Sequence, residues 1–384
     1  MENFSIDQNY KYIAKTPYRV CLLGAHIDHQ LGIVTGFALN RNVNFSYNPL
    51  KTKKINIYSR QFKDSKEWFL NNIPEKKQFD WADHLRGASL ELSKKYVLNF
   101  GLEGVFDGEL PIGGLSSSAS VILAFLKALA FINNIELSNK ELIDFVQRAE
   151  NNYVGVKSGK LDPSCEVLCK KDTMLYLDTL LNEYNLISCP KTNLKYKFGI
   201  FFSGLDRSLA ASDYNLRTDE CKKAAQLLAE YGNLHLDLND IRLRDIPYEI
   251  FIKYGNKLDE KLKKRATHYY EEMNRVKTGI LYWNNGDIIS FGKLITESGL
   301  SSVNNYEVGS KELTELFNII KKQKGVYGAR FSGAGFKGCC VALIDPSFEK
   351  EIQAGVESEY LKTFPELTDK YAFFMCESAD GIGK

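Results

Sequence analysis

Residues 111–120 read PIGGLSSSAS and run straight into VILAFLKALAFI, a strongly apolar segment that reads as a helix. A helix like this belongs inside a packed core, so the glycine-serine stretch becomes the loop at its N-terminus. A helix N-terminus presents free N–H groups and the positive end of a dipole. Glycines let the backbone close on an anion, and serine hydroxyls add donors or a magnesium ligand. The loop is therefore either a phosphate cradle or a plain Gly-Ser turn with a serine N-cap. It is not a Walker A loop, because no lysine follows the second glycine.

Residues 12–110 read mostly as strands and turns. YRVCLLGA, GIVTGFALN, VNFSYNP and KINIYSR are short β-branched or aromatic runs broken by Gly, Asn and Pro. DWADHLRGASLELSKKY has helical spacing, with Trp81, Leu85, Ala88 and Leu92 along one face, and GLEGVFDGEL predicts a further strand. A second helix starts at Asn139, with Ser138 as N-cap and Glu141 completing a capping box. Strand character returns in TMLYLD and KFGIFFS, residues 207–285 are largely helical, and 286–320 predict two more helices. GVYGARFSGAGFKGCCVALID then reads strand–loop–strand, and YAFFMCES is the last strand-like run. Strict alternation of strands and helices is absent, which does not favour a doubly wound sheet. The pattern predicts an α+β protein in two halves, 1–195 and 196–384.

Composition narrows the function. The 384 residues, 44% of them hydrophobic, suffice for two packed domains. Fifty basic residues against 48 acidic ones leave no electrostatic footprint for nucleic acid or for a membrane surface. The short basic runs KTKK and KLKKR read as solvated faces. No segment approaches the roughly 20 apolar residues of a membrane span, and MENFSIDQNYKY is unlike a secretory signal. Eight scattered cysteines without a C-x-x-C pair predict reduced thiols in a cytoplasmic protein. With only five histidines, a structural zinc site is not expected.

Three further stretches carry chemistry. TPYRVCLLGAHIDHQLG, at 16–32, gathers Arg19, His26, Asp28 and His29 after a strand-like run. It could be a metal site, a catalytic dyad or a loop shaped around a small molecule, although no third metal ligand is evident nearby. SGAGFKG, at 332–338, matches G-x-G-x-x-G through Gly333, Gly335 and Gly338. A dinucleotide loop must open a helix, whereas CCVALID is a strand, so a tight hairpin turn is the alternative. SGKLDPSCE puts Asp162 in a loop between helix and strand, with Glu150 twelve residues earlier near a helix end. Two carboxylates near a phosphate loop suit magnesium-dependent phosphoryl transfer, one on the metal and one facing a hydroxyl nucleophile. Alone, an aspartate before proline is a turn former.

In that order, TPYRVCLLGAHIDHQLG, PIGGLSSSAS and GARFSGAGFKGCC resemble the three motifs of the GHMP small-molecule kinases. The first motif points to the galactokinase branch. SLAASDYNLRTDECKKA and GDIISFGKLITESGLSSVNNYEVGSKEL are similar to its connecting segments, so the resemblance runs from about residue 15 to the C-terminus. It implies a two-lobed α+β kinase with the active site in the cleft between an N-terminal and a C-terminal domain. It implies ATP phosphates on Gly113, Gly114, Leu115, Ser116, Ser117, Ser118 and Ala119, and Mg2+ on Ser118 and Glu150. The family's catalytic pair falls on Arg19 and Asp162, its sugar contacts on His26, Asp28, Gly159 and Tyr214, and a nucleobase-facing tryptophan on Trp81. The implied partners are a sugar and ATP, in a monomer or homodimer. His29 receives no role beyond packing.

Three departures bear on the substrate. Galactokinases carry a glutamate where this chain has Ala25. That glutamate faces C6 of the sugar, so a sugar with a C6 carboxylate is repelled by it and tolerated by alanine. Lys337 replaces a glycine of the third motif and adds a cation. Both changes favour an anionic sugar, and the motifs are very similar to those of plant-type galacturonokinases. The expectation is a galacturonate 1-kinase. The alternatives are a galactokinase in which Ala25 drifted and Lys337 points to solvent, a kinase of another hexose derivative, or an inactive galactokinase-like sugar sensor. Intact Arg19, Asp162 and Glu150 argue against the sensor. Finally, Pro163 stands where galactokinases have glutamine, and proline predicts an extended backbone at Asp162.

Overall fold

The computed structural model describes residues 9–205 and 210–383. The first sheet runs β4-β3-β5-β2-β6-β7, with β1 paired to β2. Its strands are β1 (Tyr12–Val20), β2 (Ile33–Leu50), β3 (Lys54–Ser59), β4 (Asp64–Phe69), β5 (Gly101–Gly108), β6 (Thr173–Asp178) and β7 (Glu183–Ser188). The runs GIVTGFALN and VNFSYNP, read separately above, are one 18-residue strand. β1 holds it together by pairing across both halves, from Tyr12 opposite Tyr47 to Val20 opposite Phe37. Pro17 cannot donate to that ladder, and the register shifts between Pro17 and Arg19. Such a bulge re-aims the next side chain, here Arg19.

Four helices pack with this sheet: α1 (Asp83–Ser93), α2 (Ser117–Ile132), α3 (Asn139–Arg148) and α4 (Leu161–Leu168). α2 is the apolar helix, and Ile122, Leu123, Phe125, Leu126 and Leu129 are fully buried. α3 begins with the expected capping box of Ser138 and Glu141, an arrangement typically worth about 1 kcal/mol. The backbone then widens into a π-helical segment over Ala149–Val154, which carries Glu150.

Two expectations about Asp162 are corrected here. It lies in the first turn of α4 rather than in a loop, and its backbone is helical rather than extended. Pro163 is the third residue of the helix, where its missing N–H falls among those that have no intrahelical partner anyway.

The second sheet runs β11-β8-β10-β9 and is built from β8 (Lys197–Phe202), β9 (Val326–Phe331), β10 (Cys339–Ile344) and β11 (Ala372–Cys376). Around it lie α5 (Ala210–Tyr231), α6 (Tyr248–Tyr254), α7 (Glu260–Asn284), α8 (Ile288–Asn304), α9 (Lys311–Ile320) and α10 (Glu349–Thr363). The strand–loop–strand reading of 325–345 matches β9 and β10. The edge strand β4 and the helix α10 have no counterpart in the sequence reading. The architecture is α+β, as expected.

After β11 the chain crosses back. The short strand β12 (Ser378–Ala379) pairs with β2 at Leu39 and Ala38. The N–H groups of Gly381, Ile382 and Gly383 then donate to the carbonyls of Cys169, Glu166 and Val167 at 2.7, 2.8 and 2.8 Å. The C-terminal end of α4 is thereby capped by the tail. Among the described residues no helix is long and apolar enough to cross a membrane.

Candidate active site

A cavity of about 990 Å³ opens between elements of the two sheets, at the upper end of the range for small-molecule sites. Arg19, Ala25, His26, Asp28, Trp81, Gly114, Ser116, Ser117, Ser118, Glu150, Gly159, Asp162, Tyr214 and Lys337 all line it. Of the loop residues to which the resemblance assigns the ATP phosphates, Gly113, Leu115 and Ala119 are not on its wall, and neither are His29 and Gly335. Leu115 and Ala119 turn their side chains into the core, which leaves them only backbone groups to offer a ligand.

Arg19 is where the motifs meet. Its Nε donates to Asp162 Oδ1 at 2.6 Å. Its Nη1 donates to the carbonyl of Gly114 at 3.1 Å and lies 3.5 Å from Ser332 Oγ. One guanidinium thus links β1, the glycine-serine loop, α4 and the third motif. Burial opposes its charge, but the Asp162 carboxylate outweighs that and holds Arg19 protonated.

The glycine-serine loop is shaped for an anion. Gly113, Gly114 and Ser116 all have positive φ. Ser116 precedes α2 yet makes no side-chain cap, and its buried hydroxyl has no partner among the described residues. The third motif packs on this loop with no room for side chains. A Cβ at Gly333 would lie 2.9 Å from Gly114 Cα, and one at Gly338 would lie 2.8 Å from the Gly113 carbonyl carbon. The glycines of SGAGFKG therefore serve close backbone packing, not a dinucleotide. Lys337 stands between two contacts of this loop: Gly338 against Gly113, and Gly335 against the His26 ring.

Downstream of α2, Ser118 Oγ donates to Glu150 Oε1 at 2.8 Å, and Ser158 Oγ donates to Glu150 Oε2 at 2.7 Å. Ser158 was not singled out in the sequence.

The loop at 24–29 is held from behind by helix α7, more than 200 residues away. Gly24 N–H donates to Glu272 Oε1 at 2.8 Å, and the Ala25 carbonyl accepts from His268 Nε2 at 3.1 Å. Burial opposes a charge on Glu272, yet Arg275 and Arg330 bring its carboxyl down to about 2. His26 Nε2 donates to the Gly333 carbonyl at 2.9 Å, and the ring stacks on Tyr306 at 4.6 Å. Burial keeps this imidazole neutral. His29 bonds Tyr306 Oη at 2.9 Å and receives Gln30 on its other nitrogen at 3.0 Å. Both of its ring nitrogens are therefore bonded inside the protein. Both imidazoles bond the protein, but His26 Nδ1 is buried without a partner among the described residues.

Asp28 alone on this loop keeps a carboxylate in the cavity. Its Oδ2 accepts from Leu161 N–H at 3.3 Å, and a Cβ at Gly159 would come within 2.1 Å of that oxygen. Gly159 is thus needed to admit Asp28. Burial and the nearby Asp162 charge raise the Asp28 carboxyl to about 6. At the far end Trp81 stacks on Phe62 at 5.8 Å with planes 8° apart, and its Nε1 donates to Asp64 at 3.2 Å. This makes a flat aromatic wall beside α1. Glu272, His268 and Tyr306 were missed in the sequence. Glu272 and His268 stand among the buried residues of α7, but the helical pattern does not say what that face meets.

The family "GHMP kinases N terminal domain" matches residues 83–170, and "GHMP kinases C terminal" matches 281–362. The galacturonokinase of Arabidopsis thaliana is 35% identical, over 97% of this chain and 93% of its own length. The galactokinase of Pyrococcus furiosus is 30% identical, over 97% and 99%. The crystal structure of Lactococcus lactis galactokinase complexed with galactose superimposes with a TM-score of 0.87 at 28% identity, covering 98% of this chain and 96% of that one.

Proposed function

The chain belongs to the GHMP kinases, and on that premise we propose that it transfers the γ-phosphoryl group of ATP to the anomeric hydroxyl of D-galacturonate. The observation that carries the substrate is Ala25, an uncharged residue on the cavity wall where galactokinases carry glutamate. Two like charges about 4 Å apart cost about 4 kcal/mol at an effective dielectric near 20. A glutamate there would exclude a uronate. Lys337, on the same cavity wall, adds positive charge.

The roles follow from the contacts. A hemiacetal hydroxyl is a weak nucleophile, and Asp162 orients it and accepts its proton. Arg19 fixes the Asp162 carboxylate and offsets negative charge developing on the transferred group, an effect typically worth about 3–4 kcal/mol. Asp28, Gly159 and Tyr214 bound the sugar, with His26 as the wall behind it. The open hydroxyl of Ser116 and the N-terminus of α2 receive phosphate oxygens. Trp81 offers its face to the nucleobase.

Mg2+ suits Ser118 and Glu150. Both present hard oxygen donors, and their oxygens are 2.8 Å apart, close to the separation of about 2.9 Å between adjacent ligands of an octahedron with 2.0–2.1 Å bonds. When bound, the ion offsets phosphate charge; Ser118 and Glu150 would hold it.

We divide the chain into an N-terminal lobe, 1–195, and a C-terminal lobe, 196–384, with the tail returning to the first. Every group named comes from one chain, so a monomer or a homodimer serves equally. All eight cysteines are free thiols, which suits the reducing cytoplasm. The galactose-bound neighbour supports a second reading, galactokinase activity in the same cavity. A phosphorylation screen with galacturonate, glucuronate, galactose, fucose and N-acetylgalactosamine separates the two. The account expects galacturonate first. Galactose turned over tenfold better would overturn it, and absence of ADP release with every sugar would favour the inactive sensor.

A further inference from the structure

One buried carboxyl beside the site is not used by the chemistry above. Glu166 lies on α4 one helical turn after Asp162 and is fully buried. Its Oε1 is 2.8 Å from Ser120 Oγ, and its Oε2 has no partner among the described residues. Ser120 is on α2, one turn after the glycine-serine loop. The same hydroxyl lies 3.1 Å from the carbonyl of Pro17 on β1 and 3.2 Å from the carbonyl of Ser116. Three acceptor oxygens therefore surround one hydroxyl.

Hydrogen counting leaves two arrangements. A serine hydroxyl donates once and accepts twice, and the two carbonyls can only accept. Either Ser120 donates to a Glu166 carboxylate, or it donates to a carbonyl and the carboxyl is the donor to Ser120. The unpartnered Oε2 favours the second, since a neutral acid leaves only a carbonyl-type oxygen there, whereas a carboxylate would leave a buried charge unpaired.

We propose that Glu166 is a positioning residue, a carboxylic acid that donates to Ser120 and so ties the helix bearing Asp162 to β1 and to the phosphate-binding loop. Through this one node the carboxylate that faces the nucleophile, Arg19 two residues beyond Pro17, and the loop that receives phosphate keep their spacing. The charged and titratable groups facing Glu166 are Asp162 on its own helix, Arg19 and Tyr18 on β1, and Glu150. Burial, together with Asp162, pushes the Glu166 carboxyl well up.

The assignment rests on the sugar-kinase reading only for its activity readout. Infrared spectroscopy of the wild-type protein and E166Q at pH 7, with no substrate, tests the protonation directly. A protonated-carboxyl band present in wild type and lost in E166Q is expected; no difference in that region overturns the proposal. In kinetics with the sugar the enzyme turns over, E166A and S120A should each lower kcat about tenfold, with KM for ATP and sugar within twofold. The double variant should lose no more than the worse single one, the sign of a shared node. E166Q, which keeps a donor, should rescue kcat to within threefold and leave its pH profile unmoved. A loss in E166Q equal to that in E166A, or full kcat in E166A, contradicts the role. If E166A does not fold, E166Q and the infrared band still decide.

Discussion

The loop at 24–29 and the loop at 111–117 line the same cavity but are built in different ways. In the first, backbone and ring nitrogens are spent on the protein: Gly24 on Glu272, Ala25 on His268, His26 on Gly333 and His29 on Tyr306. In the second, three residues take left-handed backbone and the Ser116 hydroxyl is left without a partner among the described residues. A buried polar group without a partner is costly, and such a cost is sensible where a ligand supplies the bond. The phosphate loop is thus incomplete without its anion. The loop at 24–29 is tied to distant elements at four points, although His26 Nδ1 too is left without a partner among the described residues; on the proposed function a loop pinned in this way lets a single residue such as Ala25 decide which sugar enters.

The largest expected effect lies at the junction. Arg19→Lys keeps the charge but cannot bond Asp162 and Gly114 at once. It should lower kcat about 10²–10³-fold, and a value within threefold of wild type would remove Arg19 from the chemistry. Next comes Asp28, the loop's one carboxylate in the cavity. Its folded-state value is raised to about 6 from the usual 3.8. The folded state therefore binds this proton more tightly. The stabilisation from it is full below about 3.8 and is lost as pH rises through 6. For binding, the ionised acceptor dominates above pH 6. The sugar KM should rise about tenfold from pH 7 to pH 5, and D28N should raise KM throughout and flatten that slope. A wild-type KM independent of pH would detach Asp28 from the sugar.

The smallest effects sharpen the contrast between the loops. Tyr306→Phe leaves the buried His29 without its partner and should cost about 1–3 kcal/mol, read as a lower midpoint in denaturant. Ser116→Ala removes a hydroxyl that has no partner among the described residues. It should leave the midpoint unchanged and raise KM for ATP several-fold. The reverse outcome, stability lost at Ser116 and none at Tyr306, would erase the distinction.

Much of this site was legible because its parts are local. The glycines, the apolar helix after them and the capping box at Ser138 each follow from a short run of residues. Asp162 was found, but its backbone was misread: the pre-proline rule predicted an extended residue, while the first turn of a helix tolerates proline because its N–H is unpaired there. Glu272, His268 and Tyr306 were illegible because they act on residues 24–29 from far along the chain, and nothing in helix α7 announces which face meets that loop. The docking of the tail on α4 has no local signature in the sequence. Its glycines are required because a Cβ at Gly381 or Gly383 would sit 2.7 or 2.4 Å from the Val167 carbonyl oxygen. α10 was passed over because its surroundings, mostly charged, show little apolar periodicity.

The central claim is that an uncharged residue at position 25 admits an acidic sugar, and Ala25→Glu tests it most directly. The measurement is kcat/KM for galacturonate and for galactose, in wild type and A25E at one pH and ionic strength. The account predicts that galacturonate is preferred by wild type and loses about 10²–10³-fold in A25E, while galactose changes by less than about threefold. Equal losses for both sugars, or a wild type that prefers galactose, would contradict it.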